Sequence, residues 1–286
     1  MNVTIDRVAL LSHHDRSDAA YHITIVADWC ATHGAEFWMP PTDAAEQGVA
    51  RYASDRPVAE ADLVISLGGD GTMLRSVHAV GGADALLLGA NLGSLGYLTE
   101  VDPDDLSDAL DRLAQGSEAG RWRLDERMLL EISVNGNVVG RGLNEVVVEK
   151  HQSGHTVRLL ARIDDAPFTT YEADGLIVAT PTGSTAYSLS ARGPIVSPQH
   201  RAILLTPVSP HTLFDRSLVL SPDERVEVEV SGHRQAEVAI DGQPVGVLDP
   251  GAVIGCVPAV ATARFVRFGE ARHHQVLREK FGLRDR

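Results

Sequence analysis

The hydrophobic rhythm of the chain changes once, near Trp122, and that change restricts the fold more than any other feature. Before it, short apolar runs alternate with segments of helical spacing. Val8–Leu11 is followed by Ala20, Ile23, Val26, Ala27 and Cys30 at helical intervals, and Gly34 stops that helix. Phe37-Trp38-Met39 reads as a second strand closed by Pro40-Pro41, and Asp62–Leu67 as a buried strand ending in Gly68-Gly69. Met73–Val80 is helical in pattern and Ala85–Ala90 strand-like. Such alternation predicts a parallel sheet covered on both faces.

After Trp122 the pattern is that of hairpins. Met128–Val134, Val138-Val139 and Val146–Val148 are strand-like, and Asn135-Gly136 is a turn that requires positive φ. Val226, Val228 and Val230 alternate with Glu227 and Glu229, the period of a half-buried strand, and Asp241-Gly242 supplies another hairpin turn. The expected fold is therefore an α/β N-terminal domain with a parallel sheet, over residues 1–120, and a β-rich, sandwich-like C-terminal domain over 121–265. Gly116, Ser117 and Gly120 mark the linker between them. A tail, 266–286, is expected to pack back on the first domain.

Composition excludes several classes of function. A net charge of −14 argues against wrapping a phosphate backbone, which needs clustered Lys and Arg, so no nucleic-acid partner is expected. It does not argue against a small anion, because backbone N–H groups and a few Arg suffice. Cys30 and Cys256 are far apart and in no metal-like spacing, which points to a reducing compartment. The N-terminus has no basic segment leading into an apolar one, and no apolar run reaches the ~18 residues of a membrane span. These features are read as a soluble, cytoplasmic protein with no membrane partner.

Gly68-Gly69-Asp70-Gly71-Thr72 joins a strand to a helix, where open parallel sheets bind ligands. Glycines allow a close backbone approach to a bulky anion, and the helix N–H groups point at it. A carboxylate there repels phosphate, but it suits a hydroxyl whose proton it accepts, or a Mg²⁺ held between phosphates. A tight turn with Asp70 capping the helix is the plain alternative. Neither a P-loop nor a Gly-x-Gly-x-x-Gly fingerprint occurs at this turn.

The second motif, Asp174-Gly-Leu-Ile-Val-Ala-Thr-Pro-Thr-Gly-Ser-Thr-Ala-Tyr-Ser-Leu-Ser190, runs from a strand through a turn into a helix. Hydroxyls at Thr182, Ser184, Thr185, Ser188 and Ser190 crowd one turn, as a site for ribose and phosphate oxygens would have them. Tyr187 stacks on a base or fills a core gap.

The glycine turn resembles those of NAD kinases, phosphofructokinases and diacylglycerol-type lipid kinases, and the second motif resembles the NAD kinase family in particular. Asn91–Tyr97, Asn144-Glu145-Val146-Val147, Pro210-His211-Thr212-Leu213, Asp241-Gly242-Gln243 and Lys280-Phe281-Gly282-Leu283 extend the resemblance to the bacterial type over about residues 60–283. It implies transfer of the terminal phosphate of ATP, or of polyphosphate, to the adenosine 2′-hydroxyl of NAD, with Mg²⁺ or another divalent metal. It implies Asp70 as the catalytic proton acceptor, and Asp70 and Gly71 in contact with the nucleotide. Arg75 becomes a phosphate partner, with an Arg of no special role as the alternative. Asn144 and Glu145 would hold the adenosine; Asp174, Thr185, Ala186, Tyr187, Ser188, Leu189 and Ser190 would complete the pocket, and Gln243 would close it. His155, eleven residues beyond Asn144, is either a contact or a solvated histidine. No residue is assigned as a protein metal ligand, and a homodimer or homotetramer is implied. A dinucleotide-binding regulator without turnover and a lipid kinase are the competing readings. One departure stands out: the family's Ala-Gly-Gly-Pro is here Ala191-Arg192-Gly193-Pro194, and an ordinary backbone is expected at Arg192, with a new charge near the site as the alternative.

Overall fold

The computed structural model describes residues 3–13, 19–93, 96–269 and 273–283. Ser94 and Leu95 of the Asn91–Tyr97 match lie outside the described residues, as do 270–272 and 284–286 of the tail. The chain divides into two compact units, Met1–Glu126 with Ala263–Arg286, and Arg127–Thr262.

The elements of the first unit are β1 (Arg7–Ser12), α1 (Ala19–His33), β2 (Glu36–Trp38), α2 (Pro41–Glu46), β3 (Leu63–Gly68), α3 (Asp70–Val80), β4 (Leu86–Asn91) and α4 (Leu106–Ala114). The sheet is parallel in the order β2-β1-β3-β4, with Val8 opposite Leu63 and Leu63 opposite Leu86. Arg264 and Phe265, from much later in the chain, then pair in parallel with Leu86 and Leu87. β3 is buried at every residue, as the continuous apolar run requires. Leu10, Ile65 and Leu88 of the sheet pack with Ile23 and Val26 of α1 and with Leu106, Leu110 and Leu113 of α4.

The second unit is built of antiparallel strands. In chain order they are β5 (Arg123–Val134), β6 (Asn137–Gly142), β7 (Glu145–Lys150), β8 (Val157–Ile163), β9 (Ala166–Ala173) and β10 (Gly175–Ala179), followed by the single turn α5 (Tyr187–Ser190). β11 (Ile203–Val208), β12 (Leu218–Leu220), β13 (Val226–Ser231), β14 (Ala236–Ile240), β15 (Gln243–Leu248) and β16 (Val253–Arg267) follow; α6 (His273–Lys280), the last element, belongs to the first unit. One layer has the order β12-β11-β10-β7-β14-β15; in the other, β13 lies between β16 and β8, and β8 pairs β9. Alternate residues of both layers share one core, including Val146, Val148, Leu159, Val178, Val226, Val228 and Val238. This is the sandwich arrangement that the period-two patterning implies. Both hairpin turns adopt left-handed φ at both central residues, Asn135-Gly136 at 49° and 80° and Asp241-Gly242 at 46° and 78°. Among the described residues no helix is long and apolar enough to cross a membrane.

Arg192 corrects the expectation of an ordinary backbone: its φ is +67°. It follows the C-cap of α5, a position where helices commonly turn left-handed, and its N–H donates to the Leu189 carbonyl at 3.0 Å. The residue is exposed, so its side chain needs no room inside.

Candidate active site

In the first unit the site is built around Asp70. β3 ends at Gly68, Gly69 is extended, and Asp70 is the first residue of α3. A carboxylate in the first turn of a helix is favoured by the helix dipole. Its two oxygens are also held: the Tyr97 N–H donates to Oδ2 and the Leu98 N–H to Oδ1, each at 2.9 Å. Residue 96 has to be glycine for this clasp, because a Cβ there would lie 2.2 Å from Asp70 Oδ1. Gly71 beside it is exposed, with nothing within 4 Å of where a Cβ would be. Asp70 is therefore a fixed carboxylate next to open space.

Arg75 has a structural partner. Its guanidinium meets both oxygens of Asp43 at 2.7 and 2.8 Å and donates to the Ser12 carbonyl at 3.2 Å. Asp43 is buried and also accepts the Ser12 N–H at 2.9 Å. This geometry ties α3 to α2 and β1, and it gives the arginine a carboxylate partner where a phosphate is expected from sequence.

In the second unit, three sequence-distant segments converge. β10 pairs β7 with Ala179 opposite Glu145, which brings the Thr180–Ser190 turn against Asn144. The Thr180 hydroxyl donates to the Leu143 carbonyl at 2.5 Å, and the Thr180 N–H to that of Asn144 at 2.8 Å. A Cβ at Gly183 would lie 2.1 Å from the Asn144 carbonyl oxygen, so this packing depends on glycine. From the third segment, the Asp241 carboxylate accepts the N–H groups of Leu143, Asn144 and Glu145 at 2.7, 2.8 and 2.9 Å.

Glu145 is 5% exposed, and its Oε2 has no hydrogen-bond partner. Burial, and then the neighbouring Asp241 carboxylate, push its acid up to about 7, although the Tyr187 N–H donated to it opposes the rise. Asp174 precedes β10 and is paired with Lys150 at 2.5 Å. Lys150 in turn lines a cavity of about 450 Å³ with His155, Thr156, His233, Arg234 and Asp249. Lys150 thus meets Asp174 directly and shares a cavity wall with His155. Gln243 is exposed at the start of β15, opposite Ile240 in the hairpin whose turn carries Asp241.

Several of the crowded hydroxyls have partners inside the fold. Ser184 donates to the Pro181 carbonyl at 2.6 Å and accepts the Val196 N–H at 3.0 Å; Thr185 donates to the Thr182 carbonyl at 3.2 Å. Ser188 is fully buried, with its hydroxyl 3.2 Å from that of Thr206. These side-chain bonds add to the main-chain bonds of a tight turn, among them Ser184 N–H to the Pro181 carbonyl and Ala186 N–H to that of Gly183. Tyr187 and Ser190 are the exposed residues of the segment, Tyr187 at 38%, while Thr185, Ala186 and Leu189 are half-buried. Tyr187 does not fill a core gap.

The residues that sequence reasoning misses are those that hold others in place. Gly96, Tyr97, Leu98 and Asp241 act on partners 26 to 98 positions away. In sequence Asp241 is legible as a hairpin residue and as part of the family match, but not as an acceptor for Leu143, Asn144 and Glu145.

Family models match both halves of the chain: the ATP-NAD kinase N-terminal domain over residues 32–118 and the ATP-NAD kinase C-terminal domain over 143–268. A curated NAD kinase from Heliobacterium modesticaldum is 40% identical over 280 residues, covering 96% of this chain and 97% of that one. NAD kinase 1 of Streptomyces avermitilis is 35% identical, covering 99% of this chain and 89% of its own. Among solved structures, yeast NADH kinase complexed with NADH superposes with a TM-score of 0.87 at 26% identity, covering 99% of this chain and 89% of that chain. An NAD kinase from Archaeoglobus fulgidus, in complex with ATP, shares the fold with a TM-score of 0.73 at 24% identity, covering 96% and 98%. A two-unit nucleotide kinase with a strand–glycine–aspartate–helix turn is the class these findings define. The chain belongs to the NAD kinase family.

Proposed function

We propose that Asp70 is the proton acceptor in the reaction of this family, the ATP-dependent phosphorylation of NAD, which is the activity of this chain. The observation that carries the assignment is the fixed Asp70 carboxylate beside the open Gly71 backbone. The adenosine 2′-hydroxyl of NAD attacks the terminal phosphorus of ATP in line. The new O–P bond forms as the bond to the ADP oxygen breaks, and the hydroxyl proton passes to an Asp70 oxygen. Two N–H donors leave each of those oxygens a further lone pair for that hydroxyl.

Asn144 and Glu145 are assigned to the adenosine end of NAD, with Asp174 and the exposed face of Thr185–Ser190 beside them. Tyr187 is available for stacking, and Gln243 and His155 flank the group. Among the described residues no three carboxylate, imidazole or thiol groups converge to hold a metal ion. The Asp70 oxygens each already accept an N–H. Mg²⁺ is assigned to the nucleotide substrate, on its phosphates, and no step is routed through it.

The test is transfer of labelled phosphate from ATP to NAD, NADH, 2′-deoxy-NAD and diacylglycerol in parallel. Label is expected in NAD and in neither 2′-deoxy-NAD nor diacylglycerol. Asp70→Asn is expected to lower turnover by about 10²–10⁴-fold, the usual worth of a general base. Label in 2′-deoxy-NAD, or near-normal turnover in Asp70→Asn, refutes the assignment.

A further inference from the structure

The clasp on Asp70 is itself held from behind. Leu98 uses both of its main-chain polar groups: its N–H donates to Asp70 Oδ1 at 2.9 Å, and its carbonyl accepts Arg267 Nη1 at 2.9 Å. Arg267 is the last residue of β16 and is 6% exposed. Asp125, 3% exposed, faces its Nε at 3.3 Å, and Glu100 Oε2 lies 3.4 Å from its Nη1. The other Glu100 oxygen accepts the N–H groups of Phe268 and Gly269 at 2.8 and 3.0 Å, fixing the chain immediately after Arg267. On the residue neighbouring Leu98, the Lys280 ammonium of α6 lies 5.2 Å from the Tyr97 ring centre.

A buried ion cluster is a poor stabiliser, because desolvation offsets the attraction, and apolar side chains of similar volume commonly serve as well. What an apolar side chain cannot do is direct a donor at the Leu98 carbonyl while two carboxylates fix that donor in place. The planar guanidinium fork does both at once.

We propose that Arg267 is a positioning residue for Asp70, holding the Leu98 peptide at the orientation in which its N–H fixes the carboxylate. The proposal rests on the reading of Asp70 as proton acceptor. It places the determinant of the base's orientation 169 positions from Leu98 in sequence, in the strand that returns to pair with β4.

Arg267→Lys retains the charge but not the fork. The expected result is a kcat lowered about 10-fold or more, since ångström-scale misplacement of a reacting group can reach ~100-fold. KM for NAD and for ATP should stay within about twofold. The acid limb of the kcat–pH profile should move to higher pH, because a carboxylate that loses a donor is less favoured in its charged form. Arg264→Lys, on the same strand and facing Asp84 and Glu126, is the control and should leave kcat and the acid limb in place. If Arg267→Lys does not fold, Glu100→Gln decides by the same readouts: it keeps an acceptor for Phe268 and Gly269 but removes a charge from Arg267. A folded variant with wild-type kcat and an unmoved acid limb overturns the proposal. Equal loss in the Arg264 control does the same, because it would mean a general loss of structure. Near-normal turnover in Asp70→Asn would instead overturn the reading of Asp70, so the two failures are distinguishable.

Discussion

Replacing Glu145 with Gln should make the second unit more stable and the enzyme worse. The side chain is buried, one of its oxygens has no partner, and the Asp241 side chain lies beside it. Its acid is pushed from 4.5 up to about 7. Below pH ~4.5 the carboxyl is protonated whether the chain is folded or unfolded, and the site carries no penalty. Between 4.5 and 7 the folded state keeps a proton that the unfolded state has released, so stability falls as pH rises. Above 7 both states are ionised and the penalty is complete, about 3 kcal/mol at 1.36 kcal/mol per pKa unit. Glutamine matches the protonated form in shape and charge. The variant should therefore equal the wild type near pH ~4.5 and exceed it by about 3 kcal/mol at pH ~8.5. Fluorescence would miss this, since Trp29, Trp38 and Trp122 all belong to the first unit. Hydrogen exchange of the β7 and β10 amides reads the second unit directly. NAD affinity, measured by calorimetry at pH ~8.5, should fall about 10- to 100-fold, the loss of a hydrogen bond to a charged group. Opposite signs for stability and binding are what a strained functional residue gives and a structural one does not. A stability difference that is the same at both pH values would refute the argument, as would an unchanged NAD affinity.

Gly96→Ala places a methyl group 2.2 Å from Asp70 Oδ1 and 2.7 Å from Thr99 Oγ1. It should cost about 1–3 kcal/mol of stability in the first unit and lower kcat more than KM, as steady-state kinetics and urea titration will show. Asp241→Asn removes a charge and an acceptor oxygen from three N–H donors and should destabilise the second unit by about 1–3 kcal/mol. The same change should move the titration of Glu145, followed by carboxyl-carbon NMR, down but not to the ordinary range, because burial is the larger cause. Arg192→Gly relieves a left-handed φ worth about 1–2 kcal/mol, less the entropy of an added glycine. A net gain of up to about 1 kcal/mol by denaturant titration is expected, and a loss would mean that the Arg192 side chain has a role the backbone does not reveal.

Local features are legible because their causes are local. The apolar run Asp62–Leu67, broken by two glycines, places β3 and the start of α3, and two left-handed dipeptides place two hairpins. Two-residue periodicity in Val226–Val230 gives the inward-facing side of β13. What stays hidden depends on partners distant in sequence. No pattern at Arg264–Phe265 announces a parallel pairing with Leu86–Leu87, because that is a property of the assembled sheet. The hydroxyls of the Thr182–Ser188 turn carry the same letters whatever they face, and only the geometry shows that Ser184 and Thr185 bond their own backbone and Ser188 the Thr206 hydroxyl. Arg75 reads in sequence as a cation awaiting an anion, and the fold supplies one in Asp43, 32 positions earlier.

The two carboxylates that organise the two units show how geometry separates the proposed base from a staple. Each is an aspartate at a turn, and each collects backbone N–H groups from a segment remote in sequence. An ionised carboxylate tolerates burial only when such donors are supplied. Asp241 is 8% exposed and takes three of them, two on one oxygen, so it is turned inward onto the backbone it binds. Asp70 takes one on each oxygen, remains half-buried, and stands beside a glycine with no atom within 4 Å of its missing side chain. The donors on Asp70 fix its orientation without exhausting its capacity to accept. Residual capacity in a fixed, accessible direction is what the proposed proton transfer requires, and the half-buried Asp70 offers it where the buried Asp241 does not.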